Sequence, residues 1–177
     1  DVMAEFGVSL EPNLVSGCAE QMNFEIARQL IRTMWNGATG QDIFTIGTIG
    51  AGGFTGVTYL DRIKDITATL NGSSNAIWSA TQKAYGNWVI CDEGAATLIE
   101  SLPNGLFVAA PPPANLMGLV FAGTLMGKYR VYKDIHLDKE TGATGTAGNM
   151  LVGYKGTQFF EAGLVWAPQQ LFYTTAP

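Results

Sequence analysis

The chain has 177 residues, enough for about one domain at a nominal ~150 residues each, and it is long enough to bury a sizeable core of its own. Its 10 Lys+Arg against 15 Asp+Glu give a net charge of −5, which excludes the basic footprint needed to coat nucleic acid. Only 14% of residues are charged where roughly 25% is usual, so the surface is unusually neutral, as expected if partners cover much of it.

No apolar run reaches the ~18 residues of a transmembrane helix; the longest, around Leu116 to Met126, is broken by Gly118 and Gly123. Asp1 opens the chain without an initiator Met or the charged and apolar regions of a secretory signal, so a processed, truncated or partly retained chain is expected. Cys18 and Cys91 lie far apart with no CxxC and no nearby His. They signal neither a zinc site nor a disulfide framework and are expected to be buried thiols made in a reducing cytosol.

A short extended lead, Asp1 to Leu10, precedes a long helix over Glu11 to Asn36, where Leu14, Cys18, Met22, Ile26, Leu30 and Met34 recur every four residues. Val15, Ile31 and Trp35 widen that stripe, Pro12 and Glu11 suit the first turn, and Asn36-Gly37 stop it. At ~1.5 Å per residue the helix would be about 39 Å long, a length that suits a plate or spine better than a compact ball. Gln41 to Gly56 is glycine-rich and weakly β; a second helix is expected over Thr58 to Leu70, ended by Asn71-Gly72-Ser73-Ser74, and a third over Asn75 to Tyr85. Asn87 to Cys91 reads as a buried strand, and Asp92 as the cap of a short helix through Ser101. Leu106–Ala109, Leu119–Leu125 and Tyr129–Lys133 read as strands, with a polyproline-like connector over Ala110 to Asn115 and a turn at Met126-Gly127. After a glycine-rich loop, Thr141 to Asn149, late strands are expected at Met150–Tyr154, Leu164–Trp166 and Gln170–Tyr173. Helices first and strands later make the class α+β.

The residues offer little for catalysis. Gly50 and Gly52 begin a GxGxxG-like run, but Thr55 stands where the third Gly belongs and no βαβ unit surrounds it. Gly123 to Lys128 (GTLMGK) resembles a Walker loop one residue short, between two strands, and reads as a hairpin turn. Asp134, His136 and Asp138 alternate and on a strand would share a face, yet a solvated strand end is the expectation over a metal site. His136 is the sole histidine and no GxSxG is present, so hydrolase chemistry is not expected. Asp92/Glu93 suit a helix start and Asp138/Glu140 a polar loop better than acid–base roles. Asn71-Gly72-Ser73 has the form of a glycosylation sequon, with nothing else to signal secretion.

Three blocks carry a resemblance. Phe6 to Trp35 (FGVSLEPNLVSGCAEQMNFEIARQLIRTMW) is similar to the long spine helix of the major capsid proteins of T-even-type tailed bacteriophages, which have the Hong Kong 97-type fold. Phe121 to Asp134 (FAGTLMGKYRVYKD) resembles that family's FAG-x-L-x-GKYRVY-x-D hairpin, and Val152 to Pro168 (VGYKGTQFFEAGLVWAP) its VGYKG segment with the following acid-Ala-Gly and Ala-Pro. Similarity is weaker through Tyr59 to Leu102, and the glycine-rich middle diverges. The family's N-terminal arm and extended loop are expected before Asp1, and further strands after Pro177.

The resemblance implies a spine helix of the peripheral domain over 1–40, an axial domain over 41–165 and a return strand over 166–177. It implies no catalytic residue, no cofactor and no metal. The implied function is self-assembly into hexamers and pentamers of an icosahedral or prolate head, located in the virion and assembled in the bacterial host cytoplasm. Implied partners are other copies of the chain, then scaffold, prohead protease and portal during assembly, and packaged DNA held without sequence-specific binding; no membrane is implied. Lys128, Arg130, Lys155 and Gly145 are the candidate assembly contacts, with the Thr141–Asn149 and Gly47–Gly56 segments as candidates for the capsomer axis. The competing readings are an enzyme binding a nucleotide or sugar at Gly47–Gly56, and another phage structural module of the tail or decoration kind.

Overall fold

A computed structural model of the chain describes residues 10–40, 59–111, 118–137, 148–158, 161 and 163–165. The expected features at 1–9, in the glycine-rich 41–58 segment, in most of the polyproline connector and of the 141–149 loop, and at the 170–173 strand lie outside the described residues.

Helix α1 spans Leu10–Gly37, so at ~1.5 Å per residue it is about 42 Å long. Its apolar stripe does not form one face. An α-helix turns about 100° per residue, so each four-residue step advances the stripe by about 40° and five steps, Leu14 to Met34, carry it about 200° around the axis. Burial also changes along the helix. Pro12 to Asn23 are all exposed, with Leu14 at 65%, while Ile31 is buried and Met34 and Trp35 pack against its cluster. Cys18, expected inside, is exposed because the N-terminal half of α1 is uncovered on every side.

The second and third expected helices are one, α2, over Tyr59–Thr81. Asn71-Gly72-Ser73-Ser74 does not end it, because its polar side chains find partners without leaving the helix. The Ser73 hydroxyl donates to the Thr69 carbonyl (3.1 Å), and the fully buried Ser74 hydroxyl donates to the Gly86 carbonyl (3.3 Å). The helix stops at Gln82, which takes a left-handed φ of 55° and donates its N–H to the Trp78 carbonyl (2.7 Å).

Five strands follow in a mixed sheet: β1 (Trp88–Cys91), β2 (Phe107–Ala109), β3 (Val120–Leu125), β4 (Tyr129–Lys133) and β5 (Met150–Gly153), with α3 (Glu93–Glu100) after β1. The order across the sheet is β2-β3-β4-β1-β5; β1 and β4 are parallel and the other neighbours antiparallel. These strands match the expected ones to within a residue or two. Leu164 and Val165, expected to begin a further strand, lie in a bend and irregular backbone. The architecture is α+β.

Alternation along each strand sorts side chains onto two faces. Phe107, Leu125, Tyr129, Val131, Val89 and Cys91 share one face and form the main core with Ile66 and Leu70 of α2 and Ala95, Ala96 and Ile99 of α3. The other face is covered by the C-terminal half of α1, where Ile31 packs with Ile90, Leu137 and Leu151, flanked by Trp88 and Tyr132. A Cβ at Gly153 would fall inside the Trp88 indole, so glycine there lets the ring lie flat on β5.

Candidate assembly surface

The β3–β4 hairpin carries two of the four candidate contacts. Its tip is a tight turn in which Met126 and Gly127 both have positive φ (52° and 63°) and the Lys128 N–H donates to the Leu125 carbonyl (3.1 Å). GTLMGK is therefore a hairpin connection, as expected.

Lys128 folds back onto its own subunit. Its ammonium lies 4.1 Å from the centre of the Tyr85 ring and 4.8 Å from that of Tyr129, within cation–π range, and 3.5 Å from Asn71 Oδ1. The same Asn71 oxygen accepts the hydroxyl of Tyr129 (2.9 Å), whose side chain is fully buried. The hairpin tip is thus tied to the middle of α2, which is why the polar Asn71 sits inside a helix. Arg130 is exposed and, next to the buried Tyr129 on β4, points to the opposite face of the sheet from that ring. Lys155 is exposed just past β5; its backbone N–H donates to Asn87 Oδ1 and its carbonyl accepts from Asn87 Nδ2, both at 2.9 Å. Asn87 also donates its own N–H to the Gly153 carbonyl and accepts that of Arg130, so one side chain and one peptide bind β4, β1 and β5 together. Arg130 and Lys155 thus adjoin each other through Asn87, Lys128 lies at the hairpin tip on Asn71, and Gly145 lies outside the described residues.

Asp92 does more than the cap assigned to it. One carboxylate oxygen accepts the Ala95 N–H (2.8 Å) at the start of α3, and the other accepts the Asn149 N–H (2.6 Å). The parallel β1 and β4 end at one edge of the sheet, where β5 begins, so the connection between β4 and β5 leaves and returns there. Its return is fixed by Asp92, and Gly148 packs so close to the Ala95 backbone that a Cβ would not fit. The sequence signal for this was present only as a glycine before Asn149, indistinguishable from loop composition.

Asp134 and His136 are not a solvated strand end. Asp134 is buried, its N–H donates to the Cys91 carbonyl (2.9 Å), and its Oδ1 accepts the His136 N–H (3.0 Å), closing a turn past β4. The His136 ring meets Phe24 of α1 at 5.2 Å between centres, edge to face. Asp138 lies outside the described residues, and among these no group of three or more His, Cys, Asp or Glu is placed to hold a metal ion. Lys133 pairs with Glu100 of α3, and Lys83 with Glu161 at 4.0 Å. Asn71-Gly72-Ser73 lies within α2. No helix among the described residues is long and apolar enough to cross a membrane.

The model of the major capsid protein Gp23 family matches residues 1–174. The chain belongs to this family. Its relatives include the major capsid protein of Salmonella phage ViI, 27% identical over 177 residues, which takes in 95% of this chain and 38% of that one. The major capsid proteins of Enterobacteria phages T6 and T4 are each 32% identical over 93 residues, half of this chain and 17% and 16% of theirs. The chain thus spans well under half the length of these relatives. The family is a structural kind of protein, and the match does not favour the enzyme expected as an alternative on the Gly47–Gly56 segment, which lies outside the described residues.

Proposed function

We propose that this chain is part of a major capsid protein, a structural tile that assembles with copies of itself into the shell of a bacteriophage head and resides in the virion. The observation that carries this reading is the family match along 174 of 177 residues, in which the GKYRVY hairpin and the VGYKG segment are ordered structural elements. The physical character of the chain agrees with it: a neutral surface, a spine about 42 Å long that is half uncovered, and a mixed sheet pinned to its other end.

The finer parts of the reading are proposals of the same kind. The fold is of the Hong Kong 97 type, with the spine helix in a peripheral domain over 1–40, an axial domain over 41–165 and a return over 166–177. The packing of Ile31 on Ile90, Leu137 and Leu151 supports a junction at the C-terminal end of the spine. The tile is not an enzyme, and it forms hexamers and pentamers around packaged DNA, with scaffold, protease and portal as assembly partners. The test is electron cryo-microscopy of particles purified from the native source. Shells in whose repeating unit α1 and the five-stranded sheet can be traced are expected; particles without this chain in the shell wall would reject the reading.

A further inference from the structure

The face of the sheet on which α1 lies is only half covered. Two rows of directly paired residues cross it. One runs Val108, Thr124, Arg130, Trp88 from β2 to β1, and the other Phe121, Tyr132, Ile90, Leu151 from β3 to β5. Along the second row exposure falls from 41% at Phe121, through a half-buried Tyr132, to 4% at Ile90. Along the first, Val108 is 62% exposed and Arg130 is exposed, while Trp88 is half-buried. The C-terminal half of α1 packs on the β1–β5 side and reaches toward β3 only where Phe24 meets Gly118, which leaves Val108 on the edge strand β2 and Phe121 on β3 exposed, with one cation beside them.

We propose that this strip, centred on Val108, Phe121 and Arg130, is an interface that a second copy of the chain covers in the assembled shell. The inference rests on the capsid reading above and names the contact surface for it. Three observations select a second copy. The chain belongs to a family of capsid proteins, so copies of itself are its most abundant neighbours. The strip carries Arg130 and no carboxylate along its two rows, whereas the chain as a whole has net charge −5 and exposes acids elsewhere, Glu20, Asp65 and Glu93 among them, so a copy presenting another surface is electrostatically complementary. The strip also lies at one end of the strand order, and a contact between this edge and a different surface of the next copy is the heterologous kind that builds rings.

The test uses the full-length protein in two forms, unassembled subunits and shells, and compares wild type with Val108→Glu and Arg130→Glu. Both side chains are exposed, so the variants are expected to keep the wild-type far-ultraviolet spectrum and thermal midpoint within about 2 °C while shell yield falls at least tenfold. Amide exchange at 107–109 and 120–124 is expected to slow at least tenfold on passing from subunits to shells. Variants that form shells at wild-type yield would overturn the proposal, as would strips already protected in the unassembled subunit, which would mean that another part of the same polypeptide covers them. Failure of the wild-type protein to appear in shells at all would instead reject the capsid reading itself.

Discussion

Asp92 and Asn149 hold each other twice: the Asp92 N–H donates to the Asn149 carbonyl at 3.1 Å and the Asn149 N–H donates to Asp92 Oδ2 at 2.6 Å, while Asp92 Oδ1 caps α3 through Ala95. A single buried carboxylate therefore fixes the end of β1, the start of α3 and the return of the chain into β5.

Replacing Asp92 by Ala removes the helix cap and a second charge-assisted bond together, and leaves the Asn149 N–H without its acceptor. The expected loss of stability is about 2–4 kcal/mol by urea unfolding. Asp92→Asn keeps one acceptor oxygen and is expected to lose less. A loss under about 1 kcal/mol for Asp92→Ala would show that the carboxylate is an ordinary helix cap and no more.

Asn71 and Tyr129 give a second, asymmetric pair. Asn71→Ala strands the phenol of a fully buried tyrosine and takes one partner from Lys128, so about 1–3 kcal/mol of destabilisation is expected. Tyr129→Phe leaves Asn71 with Lys128 still in reach and is expected to cost less. Equal losses in the two variants, measured by denaturant unfolding, would contradict this assignment.

These pairs show where the sequence was legible. The strands and α3 were readable because their signals are local: alternating apolar runs, Asp92 before a helical segment, Met126-Gly127 at a turn. The continuity of α2 was not, since Asn71, Ser73 and Ser74 have the composition of a stop and are retained in the helix by partners, Tyr129 and Gly86 above all, that are distant in sequence. The separation of Lys128 from Arg130 was not legible, since strand parity alone would put residues two apart on one face; Lys128 sits in the turn before β4, and its cradle of Tyr85 and Tyr129 required the tertiary fold.

The drifting stripe of α1 makes a sharper contrast. Leu14 and Ile31 belong to one sequence pattern but lie in different halves of the helix, one in the uncovered N-terminal half and one buried against β1 and β5. Leu14→Ser is expected to change the stability of this chain by no more than about 0.5 kcal/mol, while Ile31→Ala is expected to cost about 2–4 kcal/mol through the cavity it opens. Thermal unfolding of the two variants checks this; a Leu14 effect as large as that of Ile31 would mean that the N-terminal half of α1 is packed in solution.

The two thiols should differ in the same way. Cys18 is exposed on α1, whereas Cys91 is buried, donates to the Tyr132 carbonyl at 3.2 Å, and has its pKa pushed up to about 12, first by burial and then by the neighbouring Asp92. Only the thiolate reacts, so a thiol reagent at pH 8 is expected to label Cys18 within minutes and Cys91 only in denaturant. The same shift gives a pH dependence. The native state holds the Cys91 proton more tightly than the unfolded chain, whose value is 9.0, so its contribution to stability is complete below pH 9 and is lost as the pH rises from 9 toward 12. Cys91→Ala removes the titration, and its stability relative to wild type should therefore improve across that window, after allowance for the constant cost of the smaller side chain. A difference between the two proteins that stays flat from pH 8 to 11 would show that Cys91 ionises in the folded chain as readily as in the unfolded one.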